Sequence, residues 1–328
     1  MNDIGDKAYR LESDSSESKC PLCNSKGTFS FKGRDFLFNK PETYQYMECD
    51  LCGAIYQVPK PTIDEIGNFY PDDYGVYEAI PPFKHYSNAK LGVLRYKYNY
   101  THLDVPGLYR LISPVISFLR YRDATRFIPN GKGLDIGCGN GKFIRDMNSL
   151  GWLFEGVEFN PIAVDICRMA GLKVFHSDLH SAAFKDNSFD LVSARHVIEH
   201  IPDPVNFMRE IARILKKGGR LVIKTPNSRA LGRQWFDMYW FANDVPRHLI
   251  LFCPANLKML AKRFGLRPIQ EKTFTKPRII LKSLDYLTGN RGKPYNKRKF
   301  FRLLARLYVL LAFISRRGDE IFAIYEKK

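Results

Sequence analysis

No run in this sequence approaches the roughly 20 consecutive apolar residues that a membrane-crossing helix needs, although 45% of its 328 residues are hydrophobic. A spanning helix is therefore not expected, and the apolar content suffices instead for one good core and a smaller module. The opening residues, "MNDIGDKAYRLESDSSESK", lack both the basic start and the apolar stretch of a secretory signal. The expectation is a soluble, cytoplasmic protein with a flexible tail at residues 1–17. Cysteine is scarce, seven in all, and without an export signal disulfides are a poor use for them. Acid is scarce too: 34 aspartates and glutamates against 51 lysines and arginines leave a formal charge of +17.

Four of the seven cysteines stand in two C-x2-C pairs, Cys20 and Cys23 in "CPLC", Cys49 and Cys52 in "CDLCG". Thiolates at this spacing suit tetrahedral Zn2+, and Gly53 lets the backbone turn tightly beneath the sulfurs. Four thiolates leave no position open for substrate, so the expected zinc is structural. The aromatic alternation of "GTFSFKGRDFLF" and "TYQYMECD" predicts small strands, and with them a zinc ribbon over residues 18–58. Beyond "QVPKPT", the segment "TIDEIGNFY" reads as a short helix with Thr62 and Glu65 spaced as a capping box. Basic, aromatic helices over 84–128 complete a helical linker or cap spanning 59–128.

From residue 132 strands and helices alternate in a doubly wound manner, within a domain placed at 129–328. "KGLDIG" predicts a first strand, "GKFIRDMNSLG" a helix, "LFEGVEF" a second strand, "KVFHSD" a third and "FDLVSARHV" a fourth. "VNFMREIARILKKGG" reads as a helix ending at glycine, and "RLVIKTPN" as a fifth strand. Asn160 and Pro161 are placed to cap and start the helix after the second strand. No repeat of useful length appears.

The loop "GLDIGCGNGKF" lacks the spacing and the hydroxyl of a phosphate-binding Walker loop. It also lacks the dinucleotide pattern G-x-G-x-x-G, because Gly139 is followed by Gly141 one residue too early. Asp135, two residues before Gly137, would sit poorly beside a pyrophosphate. It suits a ligand carrying an ammonium and a sulfonium, since opposite charges attract strongly in a partly dehydrated cleft. That ligand is S-adenosylmethionine. Glu158, closing the second strand, can accept from both ribose hydroxyls, and Asp178, ending the third, from the adenine amino group with Leu179 beside the ring. Each acid alone also suits a surface cap; together they occupy the strand ends where open α/β sheets bind ligands.

"LDIGCGNGKF", "VEFNP" and "FDLVSARHVIEHIPDPVNFMREIARILKKGGRLVIKTPN" resemble the motifs of class I S-adenosylmethionine-dependent methyltransferases. The resemblance covers about residues 130–275 and the last strand, "DEIFAIYEKK". It implies an α/β fold: a Rossmann-like seven-stranded sheet whose final strand returns antiparallel, here with a small N-terminal zinc ribbon. It also implies methyl transfer by direct displacement, with Cys138, Gly139, Gly141, Phe159 and Arg195 joining the cofactor set. "HVIEHIPDP" and "WFANDVPRHLILFCPANLKMLAKRFG" are similar to the branch holding ubiquinone-type methyltransferases and small-molecule enzymes of surface-polysaccharide and antibiotic gene clusters. A four-cysteine module fused to this domain is similar to certain sugar C-methyltransferases, although their long C-terminal domain is lacking.

Residues after the fourth strand face the reaction space in this fold, so His196, Glu199 and His200 are candidate bases, with His248 of "VPRHL" as a second contributor. Histidine suits proton removal because its pKa lies near neutrality. The same "EH" can instead cap the strand and shape the cofactor pocket. Trp235, Trp240 and Phe241 suit either an acceptor wall or packing. From Ala261 onward 18 basic residues face five acids, so this final fifth carries most of the net charge. Within an insertion at about 276–317, "NKRKFFRLLARLYVLLAFISRR" joins a basic cluster to an apolar helix-like run. It suits peripheral contact with an anionic membrane, or a buried or homo-oligomer-forming helix. The favoured acceptor is a sugar, nucleotide sugar or lipid-linked glycan. RNA methylation through the ribbon and basic surface is the runner-up, and a catalytically silent cofactor-binding module is third.

Overall fold

The structure, a computed structural model, describes residues 19–70, 79–83, 85–119, 124–290 and 292–328. The expected tail at 1–17 and parts of the expected linker lie outside the described residues. At the N-terminal end, β1 (Gly27–Arg34), β2 (Thr43–Cys49) and β3 (Ile55–Val58) form antiparallel neighbours. The helices α1 (Ile63–Asn68), α2 (Asn88–Tyr98) and α3 (Gly107–Leu119) follow. The Thr62–Glu65 capping box is formed in both directions, satisfying two backbone donors that α1 would otherwise leave open.

The main domain then runs β4 (Lys132–Ile136), α4 (Lys142–Asn148), β5 (Leu153–Glu158), α5 (Pro161–Met169), β6 (Val174–His176) and β7 (Phe189–Arg195). It continues through α6 (Pro204–Ile214), β8 (Leu215–Pro226), α7 (Leu231–Phe236), β9 (Ile250–Leu251), α8 (Pro254–Arg263) and β10 (Leu266–Phe274). The chain ends with α9 (Pro277–Thr288), α10 (Lys299–Ile314) and β11 (Glu320–Lys327). Seven strands lie in the order β10-β11-β8-β7-β4-β5-β6. The five from β8 to β6 are parallel, and β11 runs antiparallel to both its neighbours. This is the α/β, Rossmann-like sheet of class I methyltransferases. Strands covered on both faces are apolar without alternation: Ile321 through Tyr325 of β11 are all buried.

One boundary differs from the sequence reading. The helix expected to run to Gly219 stops at Ile214, and "LKKGG" belongs to β8. Leu215 is buried and pairs with Phe189 of β7, and Gly218 takes a positive φ of 75°. Strand pairing plus a left-handed glycine thus outweighs the helix propensity of the lysines.

The ribbon is not an appendage. β3 pairs antiparallel with β9, Ile55 opposite Leu251 and Tyr56 opposite Ile250, so one four-stranded sheet joins both parts of the chain. Stacked Phe31 and Tyr46, their centroids 4.7 Å apart, pack with Val245 and Leu251 beneath that sheet. Burying side chains of this size contributes roughly 1.5–3 kcal/mol each.

Candidate cofactor, acceptor and metal sites

The loop between β4 and α4 is shaped by glycines at positive φ: 60° at Gly137, 53° at Gly139 and 75° at Gly141. A Cβ on Gly137 would stand 2.7 Å from Val197 Cγ2, and one on Gly141 2.5 Å from Leu172 Cδ1. Both positions therefore exclude side chains on two counts, strain and space. The Gly137 contact also shows that the loop after β4 abuts the turn after β7.

Glu158 holds this loop. Its Oε2 accepts from Gly139 N–H at 2.8 Å and its Oε1 from Asn160 N–H at 3.0 Å. Each carboxylate oxygen keeps a second lone-pair site for a ligand hydroxyl. Asn160 caps α5 through Ala163 N–H with Pro161 behind it, as its sequence predicts. Phe159 stands 74% exposed beside the loop, a free aromatic face at the strand end. Cys138 is buried. Asp135 is buried, and Arg195 Nη2 donates to its Oδ2 at 3.4 Å, while the guanidinium lies 3.5 Å from the Phe143 ring centroid. Burial pushes the Asp135 carboxyl up to about 6, against the pull of Arg195. Asp178 accepts from the backbone of His180 and Ser181 and from the Ser181 hydroxyl, closing a turn that places buried Leu179.

A second polar cluster assembles at the turn Ile198–His200 and the segment around residues 244–249. Leu249 N–H donates to Glu199 O at 2.8 Å, which ties the two together. His200 Nδ1 lies 3.0 Å from Arg247 O and 2.8 Å from the Tyr70 hydroxyl. A carbonyl can only accept, so this contact assigns the proton to Nδ1 and the lone pair to Nε2. His248 is fixed likewise by Ala242 O at 2.9 Å, and the two imidazoles meet edge to face at 4.7 Å. Burial holds the His248 imidazole down to about 4, so it is neutral at physiological pH.

Glu199 is fully buried. Thr225 Oγ1 donates to its Oε2 at 2.9 Å, and Oε1 lies 3.4 Å from His196 Nδ1. Burial opposes its charge, yet the surrounding histidines hold the carboxyl down to about 2. His196 bridges Glu199 and Glu320, whose Oε1 is 3.3 Å from Nε2. Burial alone would lower its pKa, but the two carboxylates raise it to about 9. His196 is thus a cation at neutral pH and a poor base there, which its neighbours in sequence do not reveal: Glu320 lies on another strand. Glu199, His200 and His248 each place one donor atom within 4.8 Å of the others. Two imidazoles and a carboxylate can move a proton or hold a divalent ion.

The residue missed by motif reading is Arg247. Its buried guanidinium donates to Asp35 Oδ2 at 2.7 Å and Oδ1 at 3.1 Å, and to Asp244 Oδ1 at 2.8 Å. Asp35 sits in the ribbon, so this fork clamps the ribbon to the segment carrying His248. The Tyr46 hydroxyl adds a bond to His248 O at 2.9 Å. Trp240 is buried with its indole N–H on Asp319, and Phe241, partly buried, packs with Ala230, Trp240 and Ile279 while its backbone N–H donates to Ser283. Trp235 packs against Tyr308, 5.4 Å between ring centroids.

The four ribbon cysteines converge. Cys20 and Cys52 sulfurs lie 3.6 Å apart, Cys23 and Cys49 3.4 Å, and all four within 4.8 Å. Tetrahedral zinc with bonds of 2.3 Å sets sulfurs about 3.8 Å apart, so the cluster fits the ion. Leu22 and Cys52 N–H groups point at Cys20 and Cys49 sulfur, each at 3.4 Å, as thiolate ligands require.

A glycine cradle tied to a strand-end acid, with two imidazoles and a buried carboxylate past the adjacent strand, defines a class of cofactor-binding α/β enzymes. A family model described as a methyltransferase domain matches residues 108–271, half of the chain, and the protein belongs to that family. The chain is 34% identical over 116 residues to a ubiquinone biosynthesis O-methyltransferase of Xanthomonas oryzae pv. oryzae, covering 33% of this chain and 48% of that protein. It is 34% identical over 98 residues to an uncharacterized protein of Methanocaldococcus jannaschii, covering 30% and 46%. The chain spans about half the length of the curated relatives it matches. Among solved structures, a SAM-dependent methyltransferase from Archaeoglobus fulgidus aligns at 19% identity over 66% of this chain and 93% of that one, with a TM-score of 0.44. The ribbon lies outside the family match.

Proposed function

We propose that this protein transfers the methyl group of S-adenosylmethionine to a small molecule, namely a sugar, nucleotide sugar or lipid-linked glycan. The observation that carries methyl transfer is the positive-φ glycine loop clamped by Glu158 and packed on the turn that bears Glu199 and His200. Asp135, Gly137, Cys138, Gly139, Gly141, Glu158, Phe159, Asp178, Leu179 and Arg195 would hold the cofactor. When bound, it supplies a methyl carbon already activated by its sulfonium.

The chain's own residues then align the acceptor, exclude water and remove a proton. His200 is the group we assign to proton removal, oriented by Arg247 O and Tyr70. Neutral His248 stands beside it, buried Glu199 stabilises positive charge between them, and His196 remains a fixed cation. Cys20, Cys23, Cys49 and Cys52 would hold a structural zinc, with the ribbon at 18–58, the cap at 59–128 and the catalytic domain at 129–328. The carbohydrate reading draws on what the ribbon brings. Phe36 of the ribbon packs against Tyr239 and Tyr286, ring centroids 5.2 and 5.3 Å away, and a four-cysteine module fused to such a domain resembles certain sugar methyltransferases. The O-methyltransferases among the relatives support oxygen as the accepting atom.

The test supplies radiolabelled methyl donor and purified protein to fractionated nucleotide sugars, lipids and RNA. Label in the sugar or glycolipid fraction, lost on Asp135→Ala, is the expected result. Label in RNA would overturn the acceptor class, and donor binding with no label in any fraction would favour a silent module.

A further inference from the structure

The insertion between β10 and β11 buries one stripe of α10 and exposes the wrong kind of residue on the other. Ala305, Tyr308 and Ala312 face inward against α9. On the opposite side Phe300, Leu303, Leu307, Leu310 and Ile314 recur at helical spacing and are between 54% and 68% exposed. The outward face of a helix docked on a soluble protein is ordinarily polar; this stripe holds no polar side chain.

Charge surrounds the stripe. Lys299, Arg302 and Arg306 lie along its flank, Lys297 and Arg298 precede it, and Arg316 and Arg317 follow it. No acid occurs between Asp285 and Asp319. Among the described residues, the ion pairs include none of these seven cations, although lysines and arginines elsewhere pair freely. At 16 residues α10 is about 24 Å long, and no helix of the described residues is long and apolar enough to cross a membrane.

We propose that α10 docks the protein on an anionic membrane surface, lying in its plane with the leucine stripe among the acyl chains and the flanking arginines at the headgroups. An oily face bordered by unpaired cations matches that environment on both counts. A second copy of the chain offers a poorer match, because it would bring two basic segments together with no acid to pair them. Docking would also orient the enzyme. The Tyr308 hydroxyl donates to the Asp319 carboxylate, which takes the Trp240 indole N–H as well. α10 therefore rests, through Asp319, on the segment that leads to His248. This goes beyond methyl transfer, and either can fail alone.

The experiment is vesicle co-sedimentation of the full chain, using phosphatidylcholine with and without phosphatidylglycerol, in low and high salt. Binding is expected only with phosphatidylglycerol and is expected to weaken in high salt. Arg302→Glu with Arg306→Glu, and separately Leu307→Glu with Leu310→Glu, should each weaken it on the order of tenfold. Both pairs are solvent-facing, and retained S-adenosylmethionine binding will show that each variant is folded. A wild-type protein that stays in the supernatant, or binds both lipids equally, would overturn the proposal. So would a leucine pair whose replacement splits a dimer in sedimentation velocity while vesicle binding is unchanged.

Discussion

The proposed cofactor side and the proposed acceptor side of this protein are built in opposite ways. Around the glycine loop the partners are close in sequence and mostly backbone: Glu158 holds Gly139, 19 residues away, and Asn160, two away. Around His200 and His248 the partners are far: Tyr70 is 130 residues from His200, Tyr46 is 202 from His248, and Asp35 is 212 from Arg247. A site made mainly by the β4–α4–β5 unit, with Asp178, Leu179 and Arg195 added from the next strands of the same sheet, needs only the main sheet to fold. A site made by clamping a ribbon onto a loop fails when the ribbon fails. The two halves should therefore separate under mutation.

Removing the proposed zinc should separate them most. Structural zinc couples on the order of 10 kcal/mol of binding free energy to the folding of its module. With Cys49→Ser, β1 to β3 lose their anchor, and Asp35 and Tyr46 leave the acceptor side. Methyl transfer should fall on the order of a hundredfold or more, as misplaced catalytic groups do, while S-adenosylmethionine affinity measured by calorimetry barely moves. Equal loss of both would break the comparison.

Arg247→Met comes next. It leaves Asp35 and Asp244 buried without their cation, which costs about 3–5 kcal/mol, read as a lower melting temperature. Adding Asp35→Asn should recover part of that loss, since the stranded charge is then gone. A double mutant no more stable than Arg247→Met would mean that the fork is not what joins ribbon and loop.

Glu158→Ala tests the other half. It frees two N–H groups of the loop and removes the acceptor offered to a ribose, so cofactor affinity should drop by about 2–3 kcal/mol. Thermal stability should change less than in Arg247→Met. A variant that binds the cofactor normally would show that the loop keeps its shape on glycine geometry alone.

How much could be read from the chain follows the same division. The C-x2-C pairs, the Thr62–Glu65 box, Asn160–Pro161 and the glycine loop are each contiguous, and each specifies its geometry through neighbours a few residues away. The five parallel strands were legible because strands and helices alternate in order, whereas the seven-stranded sheet with its antiparallel last strand followed only from the family resemblance. Arg247 was not, because an arginine beside a histidine in "VPRHL" carries no sign that an aspartate 212 residues away will face it. Nor was the β3–β9 pairing, since a two-residue strand has no periodicity to detect. Trp240 was ambiguous for a related reason: an indole can line a cleft or donate to a buried carboxylate, and Asp319 decides which.

The pH profile of stability sharpens the comparison within one site, where two histidines pull in opposite directions. His248 is buried neutral, its folded pKa lowered to about 4 from 6.5. Its contribution is complete above pH 6.5 and is lost as pH falls toward 4, because the unfolded chain takes up the proton first. His196 has a folded pKa raised to about 9 from 6.5 by Glu199 and Glu320, which outweigh its burial. Its contribution is complete below pH 6.5 and is lost as pH rises through 9. The His196 side chain is 44% exposed, so solvent screening leaves its limb well under about 1 kcal/mol. The two limbs meet near pH 6.5, where the acceptor side should be most stable. Melting temperatures between pH 4 and 10 should fall on both sides of that point. His248→Asn, which keeps a donor for Ala242 O, should flatten the acid limb, and His196→Gln the alkaline one. If both substitutions flatten the same limb, the histidines titrate as a coupled pair, and the cation assigned to His196 belongs to the cluster as a whole.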